Sequence, residues 1–306
     1  MKPFSESSTV FFDDLAGHDR PKDQLTTLLR GDRVPHALLL TGPEGVGKGM
    51  AASALAQGLL CRSYPDRVCG ECPDCQKVLS GSHPDMHRLI PEGKSRTIRI
   101  DAVLGVRERI LLKPLEGRVH VVVVDDAHRL GADAQNAILK ILEEPPGSVH
   151  FILVTHDPSR LLATVIYRCQ KVGFGPLNTD ELTRVLRKDP DFLDDEDALR
   201  RVVAMGSGTT AGMAEARRAH ESGMVDAMFA LAAGSGSGEL VHLPDWGQDR
   251  QDQLAGLEVL AHIFRDVLIL RTTKETPRLT FADRGEELLR LAERLDEDRI
   301  LEILEV

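Results

Sequence analysis

The sequence has few aromatic residues and no excess of positive charge. Phe, Trp and Tyr make up 4% of its 306 residues, too few for a row of rings on which nucleic-acid bases stack. The formal net charge is -10 at pH 7, so the surface as a whole repels phosphate backbones. These two scarcities exclude a protein that binds nucleic acid with its entire surface, while a local basic strip remains compatible with them.

Long apolar runs are also missing. Residues 1–8 lack the apolar core of a signal peptide, and the longest β-branched run, Val121–Val124, is far too short to span a bilayer. We therefore expect a cytoplasmic chain. Its length is more than one small core needs and predicts two or three domains.

Residues 1–174 alternate strand-like and helix-like segments, which is typical of a parallel sheet covered by helices. The pattern predicts strands at 37–40, 86–90, 119–124 and 149–154, and helices at 51–60, 101–112 and 132–144. Asp157-Pro158 predicts a further helix start, because a capping carboxylate precedes a proline in the first turn.

From residue 175 onward the predicted elements are helices alone. Apolar residues recur at helical spacing over 181–188, 196–205, 211–222, 251–270 and 284–306. The glycine-serine stretch 234–238 has the composition of a flexible linker. It divides this half into a small helical domain, 175–233, and a last helical segment, 234–306.

A glycine-rich turn follows the first predicted strand. The segment Gly42-Pro43-Glu44-Gly45-Val46-Gly47-Lys48 stands between a strand and a helix, the context of a phosphate-binding loop. Gly42, Gly45 and Gly47 let backbone N–H groups converge on phosphate oxygens, and Lys48 adds a point charge. The alternative is a glycine-rich turn without a ligand, but the strand, the spacing and the lysine together favour phosphate binding.

The residues expected to bind Mg²⁺ at this nucleotide site differ from those of sites that hydrolyse nucleotide. Gly49 stands where Ser or Thr normally offers a hydroxyl to Mg²⁺. Asp125, after the valine-rich strand, is expected to orient the Mg²⁺ shell. Asp126 replaces the glutamate of active motors, and a misplacement of about 1 Å costs on the order of a hundredfold in rate. ATP and Mg²⁺ are expected to bind weakly; the alternative for both aspartates is a solvated acidic turn.

Four of the five cysteines lie close together, as Cys61-x7-Cys69-x2-Cys72-x2-Cys75. Four thiolates are what a closed tetrahedral zinc site requires, with Zn–S bonds of about 2.3 Å. Free buried cysteines would not cluster in this way, and neither ferredoxin spacing fits an iron–sulfur cluster. The spacing predicts a structural, non-catalytic Zn²⁺ in an insertion at 61–75.

Two further residues are candidates for phosphate contacts. Arg168, in Tyr167-Arg168-Cys169, could reach a phosphate bound to an adjacent subunit. From the residues alone, a surface arginine in an ion pair is the favoured interpretation. Thr155, at the end of a predicted strand, could bind a phosphate or cap the segment that follows.

In this order the motifs resemble the bacterial clamp-loader family of AAA+ proteins, the gamma/tau and delta-prime subunits of DNA polymerase III. The resemblance is close over 12–174 and loose over the helical remainder. It is carried by the lysine loop, the four-cysteine insertion, and the segments Phe12-Asp13-Asp14-Leu15-Ala16-Gly17, His83-Pro84-Asp85, Asn136-Ala137-Ile138-Leu139-Lys140-Ile141-Leu142-Glu143-Glu144-Pro145-Pro146 and Arg160-Leu161-Leu162-Ala163-Thr164.

The resemblance implies an α/β P-loop AAA+ module at 1–174 with the zinc insertion, a helical lid at 175–233, and a helical collar for oligomerisation at 234–306. Gly49, Asp126 and the lack of an arginine at 206–209 point to the delta-prime type. Such a subunit acts as a stator and lends an arginine, here Arg168, to a neighbouring ATPase, although the family usually has Ser where this chain has Tyr167.

The implied partners are gamma/tau-type and delta-type subunits, the sliding clamp and, collectively in the assembly, primed DNA. No polymerase site is expected in this chain, and its own ATPase activity is expected to be weak or absent. The main alternative is a gamma/tau-like motor that hydrolyses ATP despite Gly49. A zinc-bearing kinase of small molecules would leave the Leu-Glu-Glu-Pro-Pro helix end and the all-helical remainder unexplained.

Overall fold

The computed structural model describes most of the chain. It covers residues 12, 15–31, 34–63, 68–93, 95–187, 196–206, 208, 209, 212, 213, 216, 223–234, 250–272 and 279–295. Asp13-Asp14, most of the predicted helix 211–222, the linker residues 235–238 and the end of the last predicted helix, 296–306, lie outside these residues. The chain forms two compact units, 1–177 and 178–306, and each is described by itself.

The first unit is a five-stranded parallel sheet with helices on both faces. The strands are β1 (Ala37–Thr41), β2 (Met86–Leu89), β3 (His120–Val124), β4 (Val149–Thr155) and β5 (Gln170–Gly173). The helices are α1 (Asp19–Arg30), α2 (Lys48–Leu60), α3 (Pro73–Ser80), α4 (Ile100–Ile110), α5 (Ala132–Glu143) and α6 (Ala163–Tyr167). The strand order is β2-β3-β4-β1-β5, and every neighbouring pair is parallel.

The strand β3, between β2 and β4, contributes to both cores of this unit. All five of its residues are buried. Val122 and Val124 pack in one core with residues of α4 and α5, whereas Val121 and Val123 pack in the other with residues of α1 and α2. The alternation follows from the two-residue period of a strand, and burial on both faces explains why the run is valine throughout.

The four predicted strands and the three predicted helices of this unit are present with bounds that differ by a few residues. Three elements, α1, α3 and β5, were not predicted. The expected helix at Asp157 is a correction, because Pro158–Arg160 forms only a 3₁₀ turn. Its cap is present, since Asp157 Oδ1 accepts a hydrogen bond from Ser159 N at 3.1 Å.

The side chain of Gln135 explains why no α-helix continues from that turn. Gln135 Nε2 donates to the carbonyl oxygen of Arg160 at 3.0 Å, and Gln135 Oε1 accepts from Leu162 N at 2.7 Å. These contacts satisfy the backbone in an extended conformation. The next helix, α6, therefore begins only at Ala163.

Every described element of the second unit is a helix. Its helices are α7 (Thr179–Leu186), α8 (Glu196–Met205), α9 (Met224–Gly234), α10 (Arg250–Thr272) and α11 (Gly285–Arg294). Phe229 and Phe281 meet edge to face with ring centroids 5.2 Å apart, and the guanidinium of Arg284 lies 4.3 Å from the Phe229 centroid. Among the described helices of the whole chain, none combines the length and apolarity needed to cross a membrane.

The loop between α4 and β3 is held by one buried carboxylate. Asp85 Oδ1 accepts from Leu115 N at 2.7 Å, and Asp85 Oδ2 accepts from Glu116 N at 2.8 Å and Gly117 N at 2.7 Å. Burial raises the pKa of Asp85, but the three N–H donors and His120 outweigh it, so the net pKa is lowered. The ionised carboxylate is thus a structural tie, which explains the aspartate of His83-Pro84-Asp85.

We expect Asp85→Asn to lower the free energy of unfolding by about 2 to 4 kcal/mol at pH 7, because an amide cannot accept all three hydrogen bonds. A group with a depressed folded-state pKa stabilises above its unfolded pKa, about 3.9, and ceases to do so as the pH falls through the folded value. The free energies of unfolding of wild type and variant, measured by urea denaturation, should therefore differ less below about pH 4 than at pH 7.

Asp101→Asn is the matched control, because Asp101 is exposed in the first turn of α4. It should change the free energy of unfolding by no more than about 0.5 kcal/mol. Equal stability of the Asp85 and Asp101 variants at pH 7 would contradict the structural role of Asp85.

Candidate functional site

The nucleotide-binding residues predicted from the sequence lie at one edge of the sheet. β1 is hydrogen-bonded to β4, and β4 to β3, all in parallel register. The carboxyl ends of these strands therefore lie side by side, where ligands bind in open α/β sheets. The glycine loop follows β1, Asp125 and Asp126 follow β3, and Thr155 ends β4.

Two glycines of the loop have no room for a side chain. Gly42 has φ of +145°, and a Cβ there would lie 2.1 Å from the carbonyl oxygen of Phe174. Gly47 has φ of +98°, and a Cβ there would lie 2.4 Å from Leu15 Cδ1. Gly45 also has a positive φ. The loop geometry thus requires the glycines from which phosphate binding was predicted.

The Lys48 ammonium turns back into its own loop. Lys48 Nζ donates to the carbonyl oxygens of Gly42 at 2.8 Å and Pro43 at 2.5 Å, and only 6% of the residue's surface is exposed. Burial lowers the pKa of Lys48, with Glu44 and Asp126 acting in the opposite direction. The positive charge is therefore already inside the loop, next to the backbone that would receive phosphate oxygens.

The position after this lysine is empty rather than crowded. A Cβ added at Gly49 would meet no heavy atom within 4 Å. The site thus lacks a metal-binding hydroxyl although a serine or threonine side chain would fit there. The hydroxyl is therefore missing because position 49 is a glycine, and not because space is lacking.

Asp125 already has a cationic partner in the chain. Arg88 Nε lies 2.9 Å from Asp125 Oδ2, and Arg88 Nη2 donates to Ser53 Oγ at 3.3 Å. Burial raises the pKa of Asp125 and outweighs the lowering by Arg88, and Asp126 raises it further, so the net pKa is raised. The carboxylate expected to orient Mg²⁺ is thus already paired with a guanidinium on β2.

Sequence reasoning missed Arg88 because its position depends on the strand order. Arg88 pairs in register with Val123, next to the end of β3. The contact between Arg88 and Asp125 cannot be predicted from the sequence until β2 is known to be the neighbour of β3. The alternation of β2, with His87 and Leu89 buried and Arg88 exposed, would only have indicated a solvent-facing side chain.

Asp126 and Thr155 contact the surrounding chain. Asp126 has φ of 48°, in the left-handed region that an aspartate tolerates at some cost, and precedes the 3₁₀ turn Ala127–Arg129. The buried Thr155 Oγ1 accepts from Asp157 N at 3.1 Å and lies 3.4 Å from His128 Nδ1. Its hydroxyl thus accepts a backbone hydrogen bond just before the 3₁₀ turn Pro158–Arg160, whose cap is Asp157.

Arg168 does not join the other candidate residues. It precedes β5, at the amino-terminal end of the strands, whereas the nucleotide-binding residues follow their carboxyl ends. Arg168 Nη2 lies 2.6 Å from Glu143 Oε1, and Nη1 donates to the carbonyl oxygen of Thr164 at 3.0 Å. The ion-pair interpretation therefore describes its contacts within this chain, and Tyr167 beside it is 90% exposed.

The four cysteines Cys61, Cys69, Cys72 and Cys75 converge, with sulfur atoms within 4.8 Å of one another. Cys61 Sγ and Cys69 Sγ are 3.5 Å apart, too far for a disulfide and close to the edge, about 3.8 Å, of a tetrahedron with Zn–S bonds of 2.3 Å. Helix α3 was not predicted; it begins at Pro73 with Cys72 as its N-cap, so it brings the last two cysteines onto one turn. These residues can hold a thiophilic metal ion.

The thiols of this cluster differ in their acidity. Burial raises the pKa of Cys69, but N–H donors from Glu71 and Cys72 and neighbouring thiols outweigh it and lower the net value to about 6. Burial raises the pKa of Cys61 and of Cys75. A thiolate at Cys69 is thus available near neutral pH, and metal binding would draw the protons from the others.

We expect one Co²⁺ ion to bind the cluster and to give thiolate-to-metal charge-transfer absorption. Cys72→Ser should abolish that absorption or weaken the affinity by at least about tenfold, because one thiolate of four is lost. Cys169→Ala is the control, since Cys169 is the one cysteine outside the cluster. An unchanged spectrum in the Cys72 variant would argue against a four-thiolate site.

Comparison with known proteins identifies the family. Residues 17–178 match the family model described as DNA polymerase III, delta subunit. Over 255 residues the chain is 30% identical to DNA polymerase III subunit delta' of Bacillus subtilis, an alignment that spans 80% of this chain and 75% of that protein.

Two further relatives are matched over shorter shares of their length. The chain is 37% identical over 191 residues to subunit delta' of Pseudomonas aeruginosa, which covers 62% of this chain and 57% of that protein. It is 30% identical over 208 residues to subunit tau of Bacillus subtilis, which covers 67% of this chain and 36% of that protein. With a family model matching more than half of its residues, the chain belongs to the DNA polymerase III delta-subunit family, where it resembles the delta' proteins.

Proposed function

We propose that this protein is a delta-prime-type clamp-loader subunit that helps to load a sliding clamp onto primed DNA. It acts as a stator, not as a motor. The observation that carries this proposal is the pairing of Asp125 with Arg88, together with the glycine at position 49. Mg²⁺ needs oxygen ligands, and here one ligand is missing while the other is already paired with a guanidinium. The loop retains its phosphate-binding shape, so nucleotide binds weakly, without efficient hydrolysis.

The proposed domain organisation follows from that role. An AAA+ α/β module at 1–174 carries the nucleotide-like site, a helical lid follows at 175–233, and a collar at 234–306 joins gamma/tau-type and delta-type subunits into a ring in the cytoplasm. The division of the chain near residue 177 and the helical second unit support this organisation. Primed DNA is bound by the assembly together, because one chain with a net charge of -10 contributes little by itself.

We also propose that the metal of the four-cysteine cluster is a structural Zn²⁺. The four sulfur donors leave no position for a reacting ligand. Cys61 follows the last residue of α2 and Cys72 caps α3, so a metal here ties together the ends of two helices that also pack on each other. The site stabilises the insertion and takes no part in nucleotide chemistry.

A gamma/tau-like motor is the second candidate, and one observation favours it. The loop keeps the glycines and the lysine of an active site, with Lys48 close to where phosphates would lie. If this chain hydrolysed ATP, some other group would have to supply the contact that Gly49 cannot. The two candidates differ in which chain's residues determine the turnover of the assembled loader.

We expect Lys48→Ala to leave clamp- and DNA-stimulated ATPase activity of a reconstituted loader unchanged. Arg168→Ala should lower it by about tenfold or more, because an arginine finger stabilises charge in the partner's transition state. Arg168→Lys should not restore it, since the planar fork of donors is lost. A loss of activity in the Lys48 variant similar to that in the Arg168 variant would identify this chain as a motor.

Glu143→Gln separates the trans role of Arg168 from its ion pair within the chain. It removes the partner that lies 2.6 Å from Arg168 and leaves the arginine in place. A finger acting in trans predicts unchanged or higher turnover in this variant. If Glu143→Gln instead lowers turnover as much as Arg168→Ala does, the ion pair itself is what the loader needs.

We expect Gly49→Thr combined with Arg88→Ala to create Mg²⁺-dependent nucleotide binding. The hydroxyl fits the open space at position 49, and loss of the guanidinium frees Asp125. A fluorescent ATP analogue should bind at least about tenfold more tightly in Mg²⁺ than in EDTA, and tenfold corresponds to about 1.4 kcal/mol of binding free energy. Gly49→Thr with Arg107→Ala, an exposed arginine of α4, is the control. Equal binding in Mg²⁺ and EDTA by the first pair would refute the explanation.

A further inference from the structure

A second cluster of metal-binding side chains lies at the carboxyl ends of β3 and β4. Asp126, His128 and His156 each offer a ligand atom within 4.8 Å of the others. The rings of His128 and His156 have centroids 4.1 Å apart and an interplanar angle of 57°. Two imidazoles and one carboxylate form a facial set of donors typical of divalent transition-metal sites.

His128 is held in a way that suits a metal ligand. Its Nδ1 lies 3.4 Å from Thr155 Oγ1, a long contact that can fix the ring orientation. Its Nε2 is buried and has no hydrogen-bond partner among the described residues. A buried ring nitrogen left without a partner is costly, and a metal ion would satisfy it. When Nδ1 carries the proton, the lone pair of Nε2 is free for coordination.

The three ligands differ in accessibility, which provides a route for the ion. His128 is buried, Asp126 is half-buried and His156 is exposed. A site with one ligand in solvent can exchange metal with the medium, in contrast to the four-cysteine cluster with its two buried cysteines. The ion would also keep coordination positions for water or another ligand, since the chain supplies only three donors here.

A third group of potential ligands is less suitable for binding a metal ion. Asp74, His83 and Glu116 also lie within 4.8 Å of one another. Asp74, however, pairs with Arg62 at 2.7 Å, and Glu116 pairs with Lys77 at 2.5 Å. Both carboxylates of that group are neutralised by cations of the chain, so we assign no metal to it.

We propose that Asp126, His128 and His156 bind a divalent transition-metal ion such as Zn²⁺, separate from the four-cysteine site. Mg²⁺ is not the expected ion, because it prefers oxygen donors and near-ideal octahedral geometry. Because β1, β4 and β3 are parallel neighbours, the ion would lie at the same edge of the sheet as the glycine loop that follows β1. The proposal concerns the residues of this chain alone and does not depend on the role in clamp loading.

The test is a calorimetric titration of Zn²⁺ into the full-length protein after one equivalent has filled the cysteine cluster. Wild type should bind a second equivalent, and Mg²⁺ titrated in the same way should give no comparable binding. His156→Ala should weaken the second event by at least about tenfold, because a direct ligand is lost. Since His156 is exposed, this substitution should not disturb the fold.

His36→Ala is the matched control, because His36 is an exposed histidine outside the cluster. It should keep the second binding event, and Asp126→Asn should weaken it as His156→Ala does. The proposal is overturned if wild type binds no second Zn²⁺, if His156→Ala binds it unchanged, or if His36→Ala weakens it to the same extent. Cobalt charge-transfer absorption should remain in all three variants, which would show that the cysteine cluster is intact.

Discussion

The parallel hydrogen bonding of β3, β4 and β1 is the constraint on which the rest of the first unit depends. These strands are buried on both faces, so their register is fixed by packing as well as by backbone hydrogen bonds. Because all three run in one direction, the residues that follow them meet at one edge. The glycine loop, the aspartates and Thr155 are distant in sequence, and only this register brings them together. Arg168, at the other end of the strands, is kept away by the same rule.

Much of the fold was predictable, because its signals are local. A run of valines predicts a buried strand, two prolines end α5, and glycines between a strand and a helix indicate a phosphate loop. Two of the elements that were missed are short. β5 is a four-residue edge strand with one buried position, and α3 is an eight-residue helix that begins within the cysteine insertion. Their formation depends on packing against other elements of the fold, which cannot be read from the local sequence.

The candidate site was predictable in its parts but not in its contacts. The four cysteines and the loop glycines carry their spacing in the sequence, and the structure brings each set together. The partners of the charged residues could not be predicted in this way. Arg88 contacts Asp125 from the next strand, and Glu143 contacts Arg168 from 25 residues away. The proximity of His128 and His156 likewise follows from strand order, because each lies just beyond a different strand.

The Arg88–Asp125 pair also determines how the site responds to its surroundings. A magnesium ion binds and dissociates together with nucleotide, whereas the Arg88 guanidinium is a permanent part of the chain. The carboxylate of Asp125 therefore has a cationic partner whether or not ATP and Mg²⁺ are present. In the proposed role as a stator, this chain would therefore keep one arrangement at this site while nucleotide binds to neighbouring subunits.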